Sequence, residues 1–427
     1  MNGNARGILN HRFRWAIVAL LFLLSVINYL DRQTLSVLAP SLIDKLGMSH
    51  QQYSYVVTFF LAAYTVSFAV CGWLLDRFGP RIVLAAAVGF WSLAAILHSS
   101  ASGWVGLAVC RILLGLGEGF GPVGGVKVIG EWLPRKERAF AMGIFSNGNI
   151  VGAVLAAPLV VFLQLHFGWR IAFVVTGLCG ALWILLWLRF YQPVKRSPYV
   201  SAQELETITS GQNTAAASGE ATRIWSLPIT YGVFIARLLT DMLPLFFSFW
   251  LPEYLHRVHH ASTAMIGAVA WMPYLAADLG GLFGGALSDL FVRKGMKTRR
   301  ARMLALFIAA CFTPLAAVAV RVSSMGVALA CIACVLAAHS LWIVNLFTLI
   351  TETVPAQITA RVTGISGVGG SLGGIAANLA VGQVMPKFGY KPIFTTLGCV
   401  HGISFVLLAL ALSAGLWRRY RSFPQGV

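Results

Sequence analysis

The sequence predicts an all-α integral membrane protein with twelve membrane-spanning helices in two pseudo-symmetric six-helix halves. Three observations predict it. Of 427 residues, 58% are hydrophobic and 11% charged, whereas a soluble domain carries about 25% charged residues. Too few charges are present to cover a water-facing surface. Apolar runs of about 20 residues recur along the chain, each long enough to cross a bilayer as a helix. A polar segment at 191–226 then divides the runs six and six, and a short motif recurs at the same place in each half.

The spans are expected at 15–38, 53–75, 82–101, 104–126, 139–163, 170–190, 229–252, 263–288, 303–320, 326–350, 362–385 and 391–416. An even number puts both termini on one side. They carry "HRFRW" and "WRRYR", and the loops "DRFGPR", "PRKER" and "RKGMKTRRAR" agree with them. This side is therefore the cytoplasm, which holds about two thirds of the Lys and Arg by the positive-inside bias. The net charge of +18 has its source there and does not indicate nucleic acid. The first apolar run is too long for a cleavable signal peptide and has no small-residue cleavage site. The segment 191–226 reads as a cytoplasmic linker with one short helix near Glu204. The expected division is a bundle at 1–190, the linker at 191–226 and a second bundle at 227–427.

The seven cysteines form no disulfide framework, since most lie inside spans. Cys331 and Cys334 stand one helical turn apart with no second pair nearby, which suits packing. No metal-ligand spacing and no nucleophile elbow occurs, so an integral membrane enzyme is disfavoured and no cofactor or metal is expected. The stretch "CRILLGLGEGFGPVGG" at 110–125 is not a phosphate cradle. No strand precedes it, and the Gly-Lys-Ser/Thr ending is missing. Its glycines thin a membrane helix so that another can pack against it.

Few ionisable residues fall within the spans: Asp31, Arg32, Arg111, Glu118, Lys127, Arg237, Asp241 and Asp278. A charge at the bilayer centre costs about 2.5–3.5 kcal/mol, so each is a functional candidate. Asp31 and Arg32 are neighbours, and helix neighbours diverge by about 100°, which predicts different surroundings. Arg111 and Glu118 share a face about 10.5 Å apart along the axis. A partner from another helix, or a ligand, fits between them. Two readings suit these four residues. Asp31 and Glu118 are protonatable carboxylates, with arginines that grip an anionic substrate bidentately; or the four form a salt-bridge network that fixes helix packing. Arg237 and Asp241, spaced i,i+4, suit an intrahelical ion pair. Lys127 sits near a span end and can snorkel. His339, Trp342 and Asn345 recur at i,i+3 and share a face. They place polar and aromatic groups side by side, as a ligand pocket needs. Ser371 and Asn378 are further candidates on a Gly-rich span.

"GWLLDRFGPR" at 72–81 and "GGALSDLFVRKG" at 284–295 each carry Gly, then Asp four residues on, then a basic cluster. This repeat and the six-plus-six layout resemble the major facilitator superfamily. "INYLDRQTLSVLAPSL", "QQYSYVVTFFLAAYTVSF" and "GEWLPRKERAFAMGIFSNGNIVGA" resemble its anion:cation symporter family. "TDMLPLFFSFWLPEYL", "PYLAADLGGLFGGALSD" and "HSLWIVNLFTLITETVP" resemble the hexuronate-transporter branch. The likeness covers nearly the whole chain except the linker and tails.

The resemblance implies a proton-coupled symporter in the bacterial inner membrane, importing an organic monoanion by alternating access. The leading substrate is a hexuronate (glucuronate or galacturonate) or a related sugar acid. Residue by residue, Arg32 matches the substrate-carboxylate arginine, Asp31 and Glu118 the coupling acids, and Arg111 the arginine that pairs with them. Tyr29 and Tyr64 match pocket tyrosines. Arg237, His339, Trp342, Asn345 and Ser371 are the substrate-facing candidates of the second half. Asp76, Arg77, Arg81 and Asp289 are expected to lock the cytoplasmic gate. The implied partners are a small carboxylate, protons and the lipid bilayer, with the protein a monomer. Two departures bear on which sugar acid is carried. Glu118 is followed by "GFGPVGG" instead of a stretch with Asn and Pro-Ala, and His339 by Ser340 and Leu341 instead of Gln and a small residue. Other carboxylates (galactonate, phthalate, tartrate) are alternatives. A proton-driven drug exporter is another, although it would favour an acidic pocket without arginines.

Overall fold

Three prolines decide where apolar stretches stop being single helices. Proline lacks the N–H that would bond the carbonyl four residues back, and its ring presses on that carbonyl. In the computed structural model, which describes residues 12–209, 227–354 and 356–421, the helix breaks three residues before each of Pro122, Pro244 and Pro273. The expected spans at 104–126, 229–252 and 263–288 are therefore each two helices in series, and that at 303–320 is also two, with Pro314 in the gap between them.

In chain order the helices are α1 (Phe13–Lys45), α2 (His50–Leu97), α3 (Trp104–Glu118), α4 (Phe120–Trp132), α5 (Arg135–Phe167), α6 (Trp169–Phe190), α7 (Ala202–Thr209), α8 (Pro228–Thr240), α9 (Met242–His259), α10 (Thr263–Val269), α11 (Met272–Arg293), α12 (Thr298–Phe312), α13 (Leu315–Ala319), α14 (Met325–Thr353), α15 (Ala356–Phe388) and α16 (Lys391–Arg421). Among the described residues, 11 helical stretches are long and apolar enough to cross a membrane. The 48-residue α2 is interrupted at Gly79, with φ 75° and ψ 157°. Glycine adopts that backbone without strain, and Pro80 follows it.

The short linker helix is α7, at the expected place; residues 210–226 of the linker lie outside the described residues. Glu204 on α7 is buried. It accepts the backbone N–H groups of Phe13 at 3.2 Å and Arg14 at 3.0 Å, and the Arg14 Nη1 at 3.1 Å. A carboxylate thus meets the positive end of α1, where free N–H groups favour an anion. Arg14 also grips Glu137 with bonds of 2.7 and 3.0 Å.

The described residues fall into two compact units. One lies within Met1–Ser49, Val56–Ala216 and Ser262–Trp271; the other lies within His50–Tyr55, Ala217–Ala261 and Met272–Val427. In the first, α1 packs most extensively on α5. The backbones touch there: a Cβ on Gly152 would lie 2.5 Å from the Val26 carbonyl oxygen. Likewise, a Cβ on Gly115 would lie 2.6 Å from the Phe60 carbonyl oxygen, which brings α3 against α2. The glycines of 110–125 thus do thin this helix. In the second unit, α11 packs on α14, and α8 lies against α15 and α16. Val233, Leu306, Trp342, Leu346, Leu349 and Leu408 form part of its apolar core.

Candidate functional site

The site in the first unit begins with a carbonyl group. Pro122 has no N–H, so the Glu118 carbonyl four residues back loses its helical partner. The Asn28 side chain, from α1, donates to that oxygen at 3.3 Å. The break at Gly119 therefore falls directly behind Glu118, and α1 is tied to the same point.

Arg32, on the next turn of α1, meets the Glu118 side chain. Its Nε and Nη2 both donate to Glu118 Oε2, at 3.2 and 3.0 Å. Glu118 is fully buried, and its second oxygen, Oε1, has no hydrogen-bond partner among the described residues. The ion pair is thus made through one carboxylate oxygen, not as a parallel two-oxygen fork. Aromatic rings surround the guanidinium. Its carbon lies 4.5 Å from the Tyr64 ring centroid, 4.9 Å from Tyr29 and 5.1 Å from Phe60. Tyr29 and Tyr64 are half-buried; Phe60 is fully buried.

Asp31 faces elsewhere, as helix geometry predicts. It is 2% exposed, and neither carboxylate oxygen has a hydrogen-bond partner among the described residues. Arg111, Trp91 and Thr176 are among its neighbours. Arg111 is fully buried. Its Nη1 donates to the Arg32 carbonyl at 3.5 Å, and its guanidinium carbon lies 5.5 Å from the Phe60 ring centroid. The group that fits between Arg111 and Glu118 is therefore residue 32 of α1, whose side chain takes Glu118 and whose carbonyl takes Arg111. A cavity of about 170 Å³ adjoins the break, lined in part by Ser25, Asn28, Pro122, Ser146 and Asn149.

The second unit holds the other candidates. Arg237 binds Asp241 one turn along, with bonds of 2.9, 2.8 and 2.5 Å. Its guanidinium carbon lies 5.2 Å from the Phe347 ring centroid. His339, Trp342 and Asn345 do share a face of α14, but that face is turned to neighbouring helices. Trp342 has no exposed surface and lies in the apolar core. Asn345 donates to the Gly284 carbonyl at 3.1 Å and to that of Leu341 at 2.9 Å. His339 meets the buried His401 of α16, nitrogen to nitrogen at 3.2 Å. Ser371 is half-buried on α15. Asn378 accepts from the Trp250 indole at 2.9 Å. Asp278 is half-buried on α11.

The motif residues sit at helix ends in their own units. Asp76 pairs with Lys127, so the amine at this span end has an ion-pair partner. Arg77 lies over Trp73 and Phe78, at 5.3 and 5.4 Å. Arg81 donates to the Leu188 carbonyl at 2.9 Å and accepts from Trp187 at 3.1 Å. Asp289 pairs with Arg302 at 2.8 Å, and Arg302 reaches Glu352 at 3.2 Å.

Sequence reasoning missed Asn28, Phe60 and His401. The proline at 122 was the signal for Asn28, since a freed carbonyl in lipid must find a donor. Phe60 and His401 carry no such signal.

The family model described as the Major Facilitator Superfamily matches residues 21–378. The chain is 31% identical over 390 residues to the hexuronate transporter of Escherichia coli (strain K12), covering 90% of each. It is 35% identical over 283 residues to the galacturonate transporter of Dickeya chrysanthemi, covering 65% of this chain and 82% of that protein. Its fold is similar to that of a bacterial homolog of the human lysosomal transporter Spinster, with a TM-score of 0.73 at 19% identity, covering 95% of this chain and 97% of that one. The chain therefore belongs to the Major Facilitator Superfamily, as a multi-pass membrane transporter and not an enzyme.

Proposed function

We propose that the protein is a proton-coupled symporter that imports an organic monoanion by alternating access. Hexuronates such as glucuronate and galacturonate are the leading substrates. The relatives named for hexuronate and galacturonate support that class. A D-galactonate transporter, 26% identical over 416 residues, keeps aldonates as the second choice.

The observation that carries the reading is the buried Arg32–Glu118 pair. Arginine stays protonated, so only Glu118 can change its charge. Deprotonated, it holds the guanidinium that a substrate carboxylate needs. Protonated, it releases Arg32, whose planar fork can then take the substrate through two parallel bonds. Proton and substrate therefore favour each other's binding, by the reciprocity of linked equilibria. Asp31 is the second acid of the coupling set, and Arg111 tunes both acids. Tyr29 and Tyr64, half-buried beside Arg32, complete the substrate side. We assign Arg237 to Asp241, and Trp342 and Asn345 to helix packing. His339 and Ser371 are secondary substrate candidates.

Two protons per monoanion would move one net positive charge inward, yielding about 2.3 kcal/mol per 100 mV. A tenfold gradient of substrate needs about 1.4 kcal/mol.

We read α2 as two crossings separated at Gly79. Its 48 residues would extend about 72 Å, against a hydrocarbon core of about 30 Å. This gives twelve spans, with bundles at 1–190 and 227–427, both termini in the cytoplasm and a monomer in the inner membrane. The helix-end pairs of Asp76 and Asp289 serve as gate locks.

The test is uptake into proteoliposomes under an imposed inward proton gradient, with glucuronate, galacturonate, galactonate and phthalate in parallel. Accumulation of a hexuronate that collapses with a protonophore is expected. Accumulation of none of these acids, or gradient-independent uptake, would contradict the reading.

A further inference from the structure

One ring touches both arginines of the first unit. The guanidinium carbons of Arg32 and Arg111 lie 5.1 and 5.5 Å from the Phe60 centroid. Both distances are within the about 6 Å at which a ring's negative face attracts a cation. Phe60 is fully buried, and its ring lies 5.9 Å from that of Tyr64. Its backbone is fixed as well, because Gly115 of α3 abuts its carbonyl.

Two like charges in a buried site repel each other, most strongly when their counter-charge is lost. Protonating Glu118 removes the carboxylate that binds Arg32. The Arg32 side chain then has the rings of Tyr29, Phe60 and Tyr64 to hold it. The two tyrosines are half-buried. Phe60 has no exposed surface, so its effect on a ligand passes through its neighbours, the two arginines and Tyr64.

We propose that Phe60 is a positioning residue: its ring holds the Arg32 and Arg111 guanidiniums together and keeps the Arg32 fork presented when Glu118 is protonated. The inference rests on the Arg32–Glu118 reading above. It requires the ring's π electrons, not merely its volume.

Ring fluorination tests that requirement, because it drains the π face at nearly constant shape. The full chain is prepared with 4-fluoro-, 3,5-difluoro- and 3,4,5-trifluorophenylalanine at position 60. Glucuronate and galacturonate binding is measured by calorimetry, alongside Phe60→Leu, Phe60→Tyr and Arg32→Ala. Affinity is expected to fall stepwise with fluorine count, to about tenfold in the trifluoro variant, at unchanged thermal stability. Phe60→Leu should match that loss, and Phe60→Tyr should keep near-native affinity. A flat fluorine series, with binding abolished in Arg32→Ala, would overturn the role of Phe60 alone. Retained binding in Arg32→Ala would overturn the site itself.

Discussion

Each unit holds an arginine beside a buried carboxylate, and the two pairs are built differently. Arg237 closes on Asp241 one turn along its own segment, with bonds to both oxygens. Both carboxylate oxygens are satisfied within that segment, while the guanidinium also lies over the Phe347 ring of α14. Arg32 instead reaches Glu118 on a different helix, 86 residues away, through one oxygen only. Its opening changes how α1 and α3 are held together and frees a guanidinium. A self-contained pair can stabilise a helix, whereas a cross-helix pair with an unsatisfied oxygen can exchange partners.

The largest effect should come from breaking the self-contained pair on one side only. Arg237→Leu leaves Asp241 buried without its partner, a loss of about 3–5 kcal/mol, measured by thermal or denaturant unfolding in detergent. The double variant Arg237→Leu/Asp241→Leu should recover most of it, because a buried pair can be replaced by apolar residues at little cost. The double variant should also keep its substrate affinity within about threefold, a change worth less than 1 kcal/mol. A large loss of affinity there would move Arg237 back to the substrate.

Arg32→Ala should differ in kind. Hexuronate affinity should fall by about 2–5 kcal/mol, read by calorimetry, and Arg32→Lys should restore only part of it, because an ammonium lacks the planar fork. Next in size is the carbonyl behind Glu118. Asn28→Ala leaves it buried without a donor, at about 1–3 kcal/mol. In the Pro122→Ala background the residue-122 N–H returns to that carbonyl, and the same substitution should then have little effect. Additive losses in the unfolding free energies would show that Asn28 acts elsewhere.

The smallest effect lies outside the membrane. Arg14 beside Glu137 holds that carboxyl below its ordinary range, chiefly through their hydrogen bonds. A depressed acid adds stability above its unfolded pKa and loses it as the pH falls through the folded value. Wild type should therefore lose a small increment of stability on acidification that Glu137→Gln does not lose. Identical acid profiles would remove this pair from the account.

Much of this comparison was legible in the sequence, for different reasons. The i,i+4 spacing of Arg237 and Asp241 nearly dictates their pairing. The divergence of Asp31 from Arg32, and the shared face of Arg111 and Glu118, follow from helix geometry. What the sequence does not carry is the view from each face. The apolar residues of a membrane helix suit lipid and core alike, so periodicity says which residues are neighbours, not what they look at. His339, Trp342 and Asn345 illustrate this: they share a face, and it packs against helices. The helix breaks were written in the prolines, but expecting whole spans hid them. Phe60 and His401 owe their places to contacts with residues 28 or more positions away, which no local pattern encodes.

The central claim is that Glu118 is the group whose protonation releases Arg32. Glu118→Gln in proteoliposomes tests it most directly, with hexuronate counterflow and proton-driven accumulation measured on the same preparation. The account predicts that counterflow persists while accumulation is lost. Accumulation at the native level in that variant would contradict it.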